Sequence, residues 1–251
     1  MPKFDRSDGE LLYVQVSDYV REKIYSKEWG VNEPIPSEHE LMDMLQLSRG
    51  TVQKGIRQLV DEGLLVQQRG RGTFVVQPLM ARPSSNQLLS FGESMNAQGI
   101  EFRTRVVAKR IEHANLAVAE NLQIEEGDEY MYLVRVRYVH RRAVMLIESH
   151  RSLEACPALV SADLEHEALF AIVERLSGHR IGRSEMVYTA RTAGKARGAW
   201  LECDERAPVL DLDQLVFLED DMPFEWGSVW LPANRCVISN ETRRARGVVG
   251  E

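Results

Sequence analysis

Two helix-start signals in quick succession, followed by a glycine-rich basic hairpin, fix the character of the first third of this chain. Ser37 with Glu40 three residues later is a capping box, and Leu41, Met42 and Leu45 supply the buried side of the short helix it begins. Gln46 and Leu47 make a tight turn, and Ser48 is a natural N-cap for the next helix. There Val52, Ile56, Leu59 and Val60 share one face, which leaves Arg49, Gly50, Gln53, Lys54 and Arg57 on the outer one. Upstream, Leu12, Val16, Val20 and Ile24 recur every four residues and mark an earlier helix, ended by Gly30 and Pro34. Downstream, Leu64 to Gln68 and Thr73 to Val76 are β-rich runs around the tip Arg69-Gly70-Arg71-Gly72, the pattern of a hairpin.

Two short helices joined by a tight turn, the second with a basic polar face, make a helix-turn-helix. Glycine at the hairpin tip lets backbone approach phosphates, and an arginine there suits a narrow minor groove. A net charge of −7 argues at first against nucleic acid. Salt, however, confines surface fields to about 8–10 Å, so the local distribution matters more. From Gln46 to Gly72 the chain carries Arg49, Lys54, Arg57, Arg69 and Arg71 against only Asp61 and Glu62.

In order, Leu12-Tyr13-Val14-Gln15, Pro36 to Leu41, Ser48 to Val52, Glu62-Gly63-Leu64 and Gly70 to Val75 closely resemble the reading head of the GntR family of bacterial regulators. The resemblance implies a winged helix-turn-helix with its second helix in the major groove and its wing in the adjacent minor groove. By position it implies DNA contacts from Ser48, Arg49, Thr51 and Gln53, from His39 on the preceding helix, and from Arg69 and Gly70 on the wing. Lys54 and Arg71 join them as basic residues of the same surfaces. The family commonly has arginine where this chain has His39 and Gln53. Arginine pairs with guanine and glutamine with adenine, so a changed operator preference follows. Two fewer permanent cations should also flatten the salt dependence of binding.

The remaining length, in a chain of 251 residues, allows a second domain. Residues 1–77 form the expected head, and the Pro- and Ser-containing stretch 78–86 reads as a linker. An effector and dimerisation domain is expected over 87–244, with a C-terminal tail at 245–251. Strands are expected over Arg103 to His113, Glu129 to His140, Ala143 to Arg151, Arg180 to Thr192, Pro208 to Glu219 and Phe224 to Leu231. Helices are expected over Leu116 to Leu122 and from about Glu167 to Ser177. Strands outnumber helices and follow one another by short links, which gives an antiparallel α+β domain.

Arg135 and Arg137, two apart in a strand, point to one face about 6.5–7 Å apart, while Val134, Val136 and Tyr138 face the other way. Paired guanidiniums suit a phosphate or carboxylate. From the spacing alone, a solvated strand face or a salt bridge to Glu148 on the neighbouring strand is the preferred explanation.

Ser90-Phe91 with Met95 and Gly99, Arg135-Val136-Arg137, Glu148-Ser149-His150 and Pro223 to Trp226 resemble the UTRA domain, which marks the HutC-like branch of the GntR family. That resemblance implies a chorismate-lyase-like fold with an antiparallel sheet, holding a small-molecule effector. It places the effector's anionic group on Arg135 and Arg137, with Ser90 and Gly92 in a facing loop. It also makes Glu148 and Glu225 hydroxyl acceptors and Trp230 an aromatic wall. Gly92, Ala168 and Phe170 stand where hydroxyl residues are common, which implies a more apolar pocket or a ligand with fewer polar groups. Phe170 fits a core aromatic at helical spacing as well.

The combined expectation is a cytoplasmic, ligand-controlled repressor without a cofactor, binding a pseudo-palindromic double-stranded operator as a homodimer. No apolar run reaches the roughly 20 residues that span a bilayer, and no signal peptide is visible. Cys156, Cys203 and Cys236 lack disulfide or metal spacing and read as reduced thiols. Two rival readings are a second domain used only for dimerisation, and a lyase-like enzyme. Against the enzyme, His39, His113, His140, His150, His166 and His179 are scattered and no nucleophile motif or phosphate loop occurs.

Overall fold

A computed structural model describes residues 11–81 and 88–239. The expected tail at 245–251 and most of the 78–86 linker lie outside these residues. The chain divides into two compact units, Met1–Leu79 with Ala233–Arg235 and Met80–Pro232 with Cys236–Glu251.

The first unit comprises α1 (Leu12–Tyr25), α2 (Glu38–Leu45) and α3 (Arg49–Glu62), then the hairpin of β1 (Leu65–Gln68) and β2 (Gly72–Val75). Ser37 Oγ accepts from Glu40 N and Ser37 N donates to the Glu40 carboxylate at 2.7 Å, so the capping box forms. Gln46 closes α2 in the left-handed region at φ 55°, and Ser48 caps α3 through Thr51 N. Val16, Val20, Leu41, Leu45, Val52, Ile56, Leu59 and Leu65 form the core. Each such side chain contributes about 1.5–3 kcal/mol when fully buried. Gly55 lets α3 approach α1: a Cβ there would lie 2.8 Å from the Tyr13 carbonyl and from Val16.

A two-stranded ribbon pairs β3 (Leu79–Ala81) with a late strand described below. The second unit continues with α4 (Phe91–Ala97), β4 (Arg103–His113), α5 (Leu116–Leu122), β5 (Glu129–Val139) and β6 (Arg142–Ser152). It ends with α6 (Leu169–Ser177), β7 (Ile181–Thr192), α7 (Gly194–Leu201), β8 (Pro208–Leu218), β9 (Pro223–Pro232) and β10 (Cys236–Ile238), the partner of β3. One antiparallel six-stranded sheet runs β4-β5-β6-β9-β8-β7.

Alternation divides that sheet's side chains between two cores. Met131, Leu133, Val216, Leu218 and Phe224 pack under Leu169, Phe170, Ile172 and Val173 of α6. Val134, Val136, Leu146 and Trp230 pack on the opposite face with Ala193 and Leu201 beside α7. The α+β class and the antiparallel sheet agree with expectation, whereas α4 and α7 were not foreseen. No described helix is long and apolar enough to cross a membrane.

Candidate nucleic-acid interface and ligand cavity

Between the start of α3 and the hairpin lies an open cleft of ≈ 740 Å³. Arg49 of α3, His39 of α2, and Arg69 and Gly70 of the tip all line it. Gly70 and Gly72 take φ of 74° and 115°, a turn geometry that side chains resist. Ser48 Oγ and Thr51 Oγ1 lie 2.8 Å apart at the N-terminus of α3. The free backbone N–H groups of such a first turn favour phosphate. His39 is 82% exposed and 3.8 Å from Asp43.

Two expected contacts are already occupied. Gln53 Nε2 donates to Glu38 at 2.7 Å, which fixes the amide's orientation. Lys54 lies 3.8 Å above the Tyr13 ring, so its ammonium is drawn onto α1 and away from the cleft. Arg71 stands 5.8 Å from the Phe74 ring. Glu38 itself was missed by sequence reasoning, because a helix-start glutamate reads first as a complement to the helix dipole.

The second site is a small cavity of ≈ 40 Å³ within the other unit. Arg135, Arg137 and Ile147 supply its floor with Glu225 and Val229, while Ser90 of the α4 cap and Phe170 of α6 enclose it. Arg135 and Arg137 are each 3% exposed, so the solvated-face alternative fails. The Nε atoms of both are buried with no hydrogen-bond partner among the described residues. Arg151, fully buried on β6, donates to Glu225 at 3.0 Å.

Burial, then the charges of Arg151 and Arg137, push Arg135 well below its ordinary pKa, while Glu225 opposes the shift. Arg137 is pushed down to about 10, chiefly by burial. Guanidinium stays protonated in proteins. These shifts therefore express the cost of buried cations that lack a full counter-charge. Three guanidiniums share one bonded carboxylate, Glu225, with Glu93 acting on Arg137 from α4, and an incoming anion would relieve the excess.

Ser90 and Gly92 belong to a capped helix, not to a loop. Ser90 N donates to Glu93 at 2.7 Å, a second capping box. Gly92 abuts the pair: a Cβ there would lie 2.9 Å from Arg137 Nη2.

Glu148 and Trp230 do not join the cavity. Glu148 lies opposite Val134, and Ile147 opposite Arg135, so alternation turns Glu148 to the other face. There it accepts from Arg197 at 2.6 Å, and Arg197 sits 3.9 Å above the Trp230 ring. The proposed bridge from Arg135 or Arg137 to Glu148 is excluded by the same alternation. Arg151, Met186 and Gln214 were missed, since their shared face depends on strand registers that spacing alone does not reveal.

Cys156 is a buried free thiol; Cys236 is also buried and Cys203 partly so. No cluster of metal-ligating residues occurs among the described residues.

Residues 97–236 match the UTRA domain family, and residues 12–75 match "Bacterial regulatory proteins, gntR family". The "Probable fructoselysine utilization operon transcriptional repressor" of Escherichia coli (strain K12) is 25% identical over 248 residues, covering 97% of this chain and all of the relative. The mannosyl-D-glycerate transport/metabolism system repressor MngR of the same strain is 26% identical, covering 86% of this chain and 89% of the relative. The fold is similar to that of PhnF from Mycobacterium smegmatis, with a TM-score of 0.64 and 23% identity over 92% of this chain and 100% of that one.

Proposed function

Because this chain belongs to the UTRA-domain family and carries the winged head of the gntR family, a transcriptional regulator and not an enzyme, we propose that it is a ligand-controlled repressor. It acts in the cytoplasm as a homodimer, each head reading one half of a pseudo-palindromic operator, with half-sites about one helical turn apart. The head is assigned to 1–77, the linker to 78–86 and the effector domain to 87–244. Arg49, Arg69, His39, Ser48, Thr51 and Gln53 make the DNA contacts.

The effector is a small anion, a sugar phosphate or small carboxylate, bound by Arg135 and Arg137. One observation carries this: two buried guanidiniums face a cavity without an ion-pair partner among the described residues. Two relatives named for sugar derivatives lend it support. A domain serving dimerisation alone would have no reason to keep those charges buried. An effector that binds one arrangement of the dimer better shifts the population, and with it the operator affinity. A thermal-shift screen of sugar phosphates and small carboxylates tests the assignment. A compound that raises Tm in the wild type and not in Arg135→Gln supports it; a hit unaffected by both Arg135→Gln and Arg137→Met refutes it.

A further inference from the structure

The six-stranded sheet has two edges, β4 and β7; on β7 the register shift between Ile181 and Arg183 and the charges of Arg183, Glu185 and Arg191 flank an unprotected centre. β4 carries Arg103, Arg105, Lys109, Arg110 and Glu112, and its register slips between Val106 and Ala108. Charge and bulges are how edges resist pairing. On β7, Met186-Val187-Tyr188-Thr189-Ala190 is uncharged and lies in regular register with β8. Val187 is 63% exposed and Tyr188 46%.

We propose that β7 pairs antiparallel with β7 of a second copy, about a two-fold axis at Tyr188, joining two six-stranded sheets into one. This rests on the homodimer reading above and adds the surface and the register. A two-fold axis normal to the sheet keeps like faces together, so the axis must pass through a residue, with side chains opposing their own kind of face. Centred on Tyr188, the strand sets Glu185 opposite the partner's Arg191 and Arg191 opposite the partner's Glu185. Met186 then faces the partner's Ala190, and Val187 the partner's Thr189. Centred on Val187, Arg183 would face the partner's Arg191, a like-charge pair that destabilises. Centred on Met186 or Thr189, the strand forms no opposite-charge pair. A centre at Ser184 would also oppose Arg183 and Glu185, but it pairs only residues 181–187 and runs over the register shift between Ile181 and Arg183, so Tyr188 gives the longest self-complementary register.

Within the chain Glu185 pairs with Arg183 and Arg191 with Asp211, yet Glu185 is 64% exposed and Arg191 55%. Both keep atoms free to reach across. The joint also adjoins the ligand cavity, because Met186 lines that cavity and Tyr188 Oη donates to Met186 Sδ at 3.5 Å. A ligand that moves Met186 acts directly on the joint.

Cysteine cross-linking of the full chain tests this. Opposed Cα atoms at the axis lie within the 4.4–6.8 Å that a disulfide spans. The two Val187 positions, two residues out of register, lie about 8 Å apart. Under mild oxidation Tyr188→Cys should form a covalent dimer, and Val187→Cys little of it. The wild type, with Cys156 and Cys236 buried and Cys203 partly so, should form none. Glu185→Arg should weaken the dimer at least tenfold by sedimentation velocity. A wild type that is dimeric while Tyr188→Cys stays unlinked, or Glu185→Arg without effect, overturns the surface and leaves the dimer reading intact. A monomeric wild type at micromolar concentration overturns both.

Discussion

Arg151 lies directly across the strand pair from Glu225 and donates to its Oε1 at 3.0 Å, the one ion pair among the described groups of the ligand cavity. Arg151 has no exposed side-chain surface, so its charge depends on that carboxylate. Glu225→Gln should therefore cost about 3–5 kcal/mol, because it strands a buried cation. The double variant Arg151→Met with Glu225→Leu should be near neutral. Urea midpoints of the wild type and these two variants check this, and a small loss in Glu225→Gln would contradict it.

Arg137 presents the opposite case, a buried cation with no carboxylate bonded to it among the described residues. Arg137→Met preserves most of the packing and removes the charge. Without ligand it should be more stable than the wild type by about 1–3 kcal/mol. Chemical denaturation would show the midpoint moving upward; a fall would mean that the guanidinium is satisfied.

At the head, Gln53 replaces a cation with an amide held by Glu38. Gln53→Arg with Glu38→Gln should steepen the salt dependence of operator binding by about one phosphate contact. One base preference should move from adenine towards guanine. Anisotropy titrations over a range of salt, with single-base operator variants, read both effects.

His150 stacks on Trp226 at 5.0 Å between Tyr130 and Tyr132, and burial holds its pKa below the ordinary 6.5. The unfolded chain therefore takes up the proton first as pH falls. Stability from this residue is complete above pH 6.5 and declines below it, until the folded pKa is reached. His150→Gln should flatten the urea midpoint's decline between pH 7 and pH 5. An unchanged slope would show that other groups set it.

The parts legible in the sequence are those fixed by local chemistry. Ser37 with Glu40 and the cap at Ser48 place α2 and α3, and period-two alternation places Arg135 beside Arg137. The signal Ser90-x-x-Glu93 was equally local, so α4 was readable from the same capping rule that found α2. Glu148 and Trp230 went astray for another reason. Which residue of β6 faces Arg135 depends on a bulge between Arg137 and Tyr138, and one step of register exchanges Ile147 for Glu148. Gly55 likewise looks like a weak helix residue until α1 is known to lie against it.

Binding of the full chain to promoter DNA flanking its own gene, titrated with the anion found by thermal shift, tests the central claim most directly. The wild type should form a two-head complex that the anion dissolves. Arg137→Met should form the same complex with the same affinity and ignore the anion. Loss of DNA binding in Arg137→Met, or release by the anion equal to that of the wild type, would contradict control of the operator through this pair of arginines.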